Sequence, residues 1–186
     1  MSRRHAALMR LAMSAIVALA AAEATDVDAQ VRRGRALEPE APPWAPTAIG
    51  IRAGYDQTTR GEIFGGGLRV PIMRNGLFEF APSADIIFMS GPNEYMYSLD
   101  VAYVPGGGGG GLVIQGGVGW RDSTIGASGG ETYFGYNFGI GGKTNLGAVQ
   151  LEAMIRWAFL NGTNYDPNVV TLGGNYVLFR TQRPGR

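Results

Sequence analysis

The sequence predicts an all-β protein: eight antiparallel strands in up-and-down order, closed into a transmembrane barrel. Three observations lead there. Eight segments alternate apolar and polar residues with a period of two. Short, turn-rich links separate them, so consecutive strands are antiparallel neighbours. The apolar face carries nearly all the bulk, whereas the polar face carries glycine, serine, asparagine and a few charges.

In the first segment Ile49, Ile51, Ala53 and Tyr55 alternate with Gly50, Arg52 and Gly54. In the second, Phe64, Leu68, Val70 and Ile72 alternate with Gly65, Gly67 and Arg69. The link "MRNGL" (73–77) resembles a two-residue Asn-Gly hairpin, but that pairing sets outward Ile72 against inward Glu79. A three-residue loop, Arg74-Asn75-Gly76, pairs Ile72 with Phe78 instead and puts Gly76 at the left-handed position. The third segment alternates Phe78, Phe80, Ala84, Ile86 and Phe88 with Glu79, Ser83 and Asp85. Pro82 lacks a ladder donor, and a local bulge is expected there. The fourth alternates Tyr95, Tyr97, Leu99, Val101 and Tyr103 with Glu94, Ser98 and Asp100.

After "PGGGGGG" (105–111), a low-complexity stretch read as a floppy turn, the fifth segment alternates Leu112, Ile114, Val118 and Trp120 with Gln115, Gly117, Gly119 and Arg121. The sixth alternates Phe134, Tyr136, Phe138 and Ile140 with Gly135, Asn137 and Gly139. The seventh, "VQLEAMIRWAFL" (149–160), is ambiguous. Glu152 and Arg156 have helical spacing, and most of its residues form helices well. It also alternates, and seven neighbours of the same period favour the strand. The eighth alternates Val170, Leu172, Tyr176 and Leu178 with Thr171, Gly173 and Asn175. The remaining links are 56–60, 90–93, 122–130, 141–147 and 161–168.

Residues 1–29 read as an export signal: a basic start, the apolar run "LAMSAIVALAAA", then small-residue cleavage sites after Ala24 or Ala29, the second preferred. The run is too short to span a bilayer as a helix. Residues 30–45 are charged and then proline-rich, a flexible lead-in toward the periplasm. The barrel is expected over 46–180, with a short tail at 181–186. The chain has no cysteine, so an exported fold must be held by a closed sheet or a large core. Charged residues are 17% of the chain, below the ~25% common in soluble domains. Lys143 is the single lysine against fifteen arginines, and net charge is +1, which gives no footing for nucleic acid.

An eight-stranded barrel has an interior just wide enough for side chains. Glycines and a few charges suit that interior, and the bulky face then meets hydrocarbon. On this register Arg52, Arg69, Arg121 and Arg156 point inward with Glu79, Asp85, Asp100 and Glu152, a balanced set expected to pair. The size argument favours a plugging polar core over a gated ion path. Tyr95, Tyr97, Tyr103, Trp120, Phe134, Tyr136, Phe138, Trp157, Phe159 and Tyr176 are expected to face lipid, several of them at strand ends with Tyr55 as an aromatic girdle.

The export signal, the eight alternating segments and the closing "VTLGGNYVLFR" together resemble the small eight-stranded outer-membrane barrels of Gram-negative bacteria, the OmpA, OmpX and opacity-protein type, over residues 46–180. That resemblance implies an integral outer-membrane protein inserted by the barrel-assembly machinery. It also implies termini in the periplasm, odd-numbered links outside, and roles in envelope integrity, adhesion or limited permeation. The terminal aromatic usual in such families is followed here by "RTQRPGR".

Catalysis is not expected. His5, inside the export signal, is the only histidine, so Ser-His and Cys-His nucleophile pairs and His or Cys zinc sites are excluded from the mature chain. Glu79 and Asp85 lie about 20 Å apart by strand rise, too far to act as a close pair. The glycine clusters precede no helix and cradle no phosphate. No cofactor is expected, and a monomer is. The expected role is structural or interactive within the envelope. The rivals are a narrow porin-like channel for small solutes and a soluble exported barrel binding an apolar ligand. An adhesin needs longer loops than these.

Overall fold

The computed structural model describes residues 45–123, 130–162 and 166–179. The export segment, the lead-in up to residue 44 and the tail 181–186 lie outside them. Eight strands close into one barrel in sequential order: β1 (Thr47–Asp56), β2 (Gly61–Pro71), β3 (Phe78–Phe88), β4 (Glu94–Tyr103), β5 (Gly110–Ser123), β6 (Glu131–Leu146), β7 (Val149–Leu160) and β8 (Asn168–Phe179). Every neighbouring pair is antiparallel, and β1 pairs with β8 to close the cylinder. The seventh segment is a strand paired on both sides, so the helical spacing of Glu152 and Arg156 is incidental. Connections after β1, β3, β5 and β7 gather at one end, here the odd end; the others form the even end.

Side chains on the bulky face point outward. Ile51 is 65%, Tyr136 62% and Phe64 50% exposed. Arg121, Lys143, Glu94 and Asp56 are fully buried inside. A water-soluble barrel inverts this pattern, because burying large apolar groups is its main driving force. Here the outer surface must meet hydrocarbon, and the closed ladder satisfies the backbone where no water can. The chain therefore folds as a transmembrane β-barrel.

Several elements depart from the sequence reading. Residues 141–146 belong to β6, leaving Gly147 and Ala148 as the β6–β7 turn; Gly141 pairs with Val113 and Met154, and Lys143 with Gly111 and Glu152. Glycine is a turn former locally, but two flanking ladders override that preference here. Pro82 produces no bulge. The β2–β3 register is unchanged across it, with Gly67 opposite Ser83 and Val70 opposite Phe80. The ladder only skips the positions where the proline N–H is missing. The irregularity lies instead in the β1–β8 pairing, between Thr47 and Ala48.

The glycine run is ordered by contacts: Gly107–Gly109 form a 3-10 turn, Gly108 N donates to Asn75 O at 3.1 Å, and Asn145 Nδ2 donates to Gly108 O at 2.7 Å. The 73–77 loop has the expected form, with Ile72 N bonded to Phe78 O and Gly76 at φ +68°.

Candidate functional site: a charged, layered lumen

Alternation along the strands aims the polar residues at the axis, and glycines opposite them leave the room. Gly50 is one such position: a Cβ built there would lie 1.9 Å from Asn175 Oδ1. Long side chains therefore cross a lumen whose walls are locally bare.

At the odd end Arg121, from β5, joins the end of β1 to the start of β4. Its Nη1 donates to Asp56 Oδ2 at 2.8 Å and its Nε to Glu94 Oε2 at 2.5 Å, and all three residues are fully buried. Asp56 also accepts from the backbone N–H of Thr58 and from the Thr59 hydroxyl, so the ion pair and the β1–β2 turn are one unit. Thr58 Oγ1 donates to Asp166 O and accepts from Asn168 N, which ties that turn to the β7–β8 connection.

Beneath this plug lies an apolar layer of Ile63, Ile87, Met96, Ala158 and Val169. Strand β4 carries the order in its own sequence: Glu94 in the plug, Met96 in the apolar layer, Ser98 and Asp100 in the centre.

The centre is a network. Arg52 Nε and Nη2 donate to both oxygens of Asp85, at 2.8 and 2.6 Å. Arg156 Nη2 donates to the same Asp85 Oδ2 at 2.8 Å, and its Nη1 to Ser98 Oγ at 3.1 Å. Arg69 grips Glu152 through Nε and Nη2 and reaches Gln115 Oε1 at 3.3 Å. Gln115 Nε2 donates in turn to Asp100 Oδ2 at 3.2 Å, and Asn175 Nδ2 to Glu152 Oε2 at 3.3 Å. Charge-assisted, bidentate bonds of this kind are the strong members of their class. Toward the even end a second apolar cluster, Ala102, Val104, Val113 and Met154, packs past Asp100 and Gln115. There Lys143 Nζ donates to Glu79 Oε1 at 2.5 Å.

All eight charges named from the sequence point into the lumen, but they do not form a closed set. Glu79 pairs with Lys143, Arg121 pairs with Asp56 and Glu94, and Asp100 has no ion-pair partner among the described residues. Asp56 and Lys143 lie in stretches whose local chemistry is that of a link. Parity marks both: Asp56 continues Arg52 and Gly54, and Lys143 continues Gly139 and Gly141. The inward apolar residues Ile63, Ile87 and Met96 were also missed, since each sits beside a larger outward neighbour.

The expected lipid-facing aromatics lie on the outside. Tyr97 stacks on Trp120 with ring centroids 5.8 Å apart, and Phe138 stacks on Trp157 at 6.1 Å. Phe134, Phe159 and Tyr176 are exposed, as are Tyr95 and Tyr103.

A closed barrel with an apolar exterior and an ion-paired interior defines the class as a small membrane-spanning β-barrel protein. Solved structures of similar fold include the N-terminal β-barrel domain of Pseudomonas aeruginosa OprF, with a TM-score of 0.59, 16% identity, and coverage of 72% of this chain and 97% of that one. They also include Ail, the attachment invasion locus protein of Yersinia pestis, with a TM-score of 0.51, 14% identity, and coverage of 72% and 98%. No family model matches the sequence, and no curated protein matches it. At these identities the likeness is one of fold.

Proposed function

We propose that this chain is an integral outer-membrane protein, exported by its N-terminal signal and inserted by the barrel-assembly machinery. Its role in the envelope is structural or interactive, and it carries out no catalysis. The observation behind this reading is the filled lumen. The Arg121–Asp56–Glu94 plug, an apolar layer and the central network lie in series across the axis. An ion crossing such an interior must break buried pairs and then enter a dry layer, and both steps are expensive. The exposed apolar belt weighs against a soluble carrier of apolar ligands.

Planar-bilayer recording tests the reading. The wild-type barrel is expected to be silent. Discrete conductance steps from it would replace this reading with the narrow channel. Envelope fractionation tests the location: the chain should resist extraction without detergent and begin at Gln30.

A further inference from the structure

Glu79 is the first inward residue of β3, and Lys143 lies one pleat short of Asn145, the last inward residue of β6. Both therefore sit at the even mouth, yet they are only 4% and 0% exposed. The β4–β5 turn covers them. It joins strands three and four places from β1 around the barrel, but Gly108 lies against Ala45, which leads into β1. A Cβ built on Gly108 would be 3.1 Å from Ala45 Cβ, and one built on Gly76 would be 2.7 Å from it. Gly108 N donates to Asn75 O in the β2–β3 loop, and Gly108 O accepts from Asn145, just beyond Lys143. Ala45 N donates to Arg74 O at 2.8 Å. The turn thus reaches across the mouth. We propose that it is a hinged lid over the Lys143–Glu79 pair, and that the entry of the chain into β1 is the catch that holds it shut.

The composition of the turn lets it move. Residues 106–111 are all glycine, so no side chain of that run anchors it. Backbone groups hold it instead, and each hydrogen bond contributes little net stability. Glycine also loses more chain freedom on ordering than any other residue. The hinge lies after Val104, which is fully buried against Ala102, Val113 and Met154. The catch has the opposite character: Ala45 is bonded to the β2–β3 loop and seated where Gly76 and Gly108 leave room for it. Residues 30–44 join the barrel at Ala45, so displacement of the lead-in acts on the lid. The apolar cluster and the central network stay in place behind it. An open lid therefore uncovers an ammonium–carboxylate pair at the mouth and makes no passage through the barrel.

Lys143 is the only lysine, so acetylation by a small amine-reactive ester reads the lid directly. The full barrel is folded in micelles, labelled, and analysed by mass spectrometry, with gel migration as the control for folding. Lys143 is expected to react far more slowly than in the chain unfolded in urea. Its rate should be flat at low urea, as for a local opening. Asn145→Ala takes one bond from the lid and should raise the rate about fivefold. The chain has no cysteine, so Ala45→Cys with Gly108→Cys offers one disulfide, at a Cβ spacing near the usual ~3.5–4.5 Å. Closing it should slow labelling at least about fivefold against the same variant reduced. Labelling of the folded wild type at the unfolded-chain rate overturns the inference, because the mouth is then open. So does a rate that climbs with urea from the start, which marks global unfolding, or one that neither Asn145→Ala nor the disulfide changes, which marks another route.

Discussion

Lys143 and Glu79 meet inside the barrel, Nζ to Oε1 at 2.5 Å, although they are 64 positions apart in the chain. Both are buried, so each charge depends on the other. Lys143→Met strands the carboxylate and should lower stability by about 3–5 kcal/mol. Adding Glu79→Leu removes the stranded charge and should recover most of that loss. Urea titration followed by gel migration measures both; a double variant that loses as much as Lys143→Met or more would mean that the stranded carboxylate is not the source of the loss.

Arg121 bonds to Asp56, Glu94 and Thr59 at once. Arg121→Lys keeps the charge but offers one ammonium in place of a planar fork. Part of the plug is then unmet, at about 1–3 kcal/mol. The β1–β2 turn is bonded into the same unit, so limited proteolysis should cut residues 57–60 faster in the variant than in the wild type. Unchanged cleavage would separate the turn from the plug.

Leu172 is 46% exposed on the outer face of β8. Leu172→Arg in a lipid bilayer should cost about 2–4 kcal/mol if this position lies near the midplane. On a water-facing surface the same change stays within about 0.5 kcal/mol. Folding equilibria in vesicles distinguish the two values.

Two strand glycines should respond oppositely to added bulk. A Cβ at Gly135 would lie 1.9 Å from Phe159 O, so Gly135→Ala should destabilise by about 1–3 kcal/mol through overpacking. At Gly174 a Cβ meets nothing within 4 Å. Gly174→Val adds a β-branched residue on the lipid side and should stabilise by up to about 1 kcal/mol. Matched melting curves of the two variants test the pair.

Period-two alternation carried the strand count, the order and the in-out sense of nearly every residue, because a pleat leaves a side chain only two directions. Strand ends were less legible. Lys143 lies in a glycine-rich stretch whose local chemistry is that of a turn, and only the ladders with β5 and β7 make it a strand. Pairing inside the lumen was less legible still. Arg69 and Glu152 lie on β2 and β7, and which carboxylate a guanidinium reaches depends on the stagger of strands around the cylinder. The apolar layers escaped for another reason: Ile63 and Ile87 each precede a phenylalanine, so the local pattern reads as a plain apolar run.

The central pairs also bear on how the molecule comes together. Arg52 on β1 holds Asp85 on β3, Arg156 on β7 holds the same carboxylate, and Arg69 on β2 holds Glu152 on β7. The last two bonds join the first half of the chain to the last across the β1–β8 seam. In an open, partly zipped sheet Arg69 and Glu152 lie on strands far apart, as do Arg156 and Asp85. Contacts that form after the rate-limiting step slow escape from the folded state without hastening arrival. Arg52 and Asp85 already face each other across Gly65 in an open sheet, whereas the bonds of Arg156 and Arg69 act as a latch that closes once the edges have met.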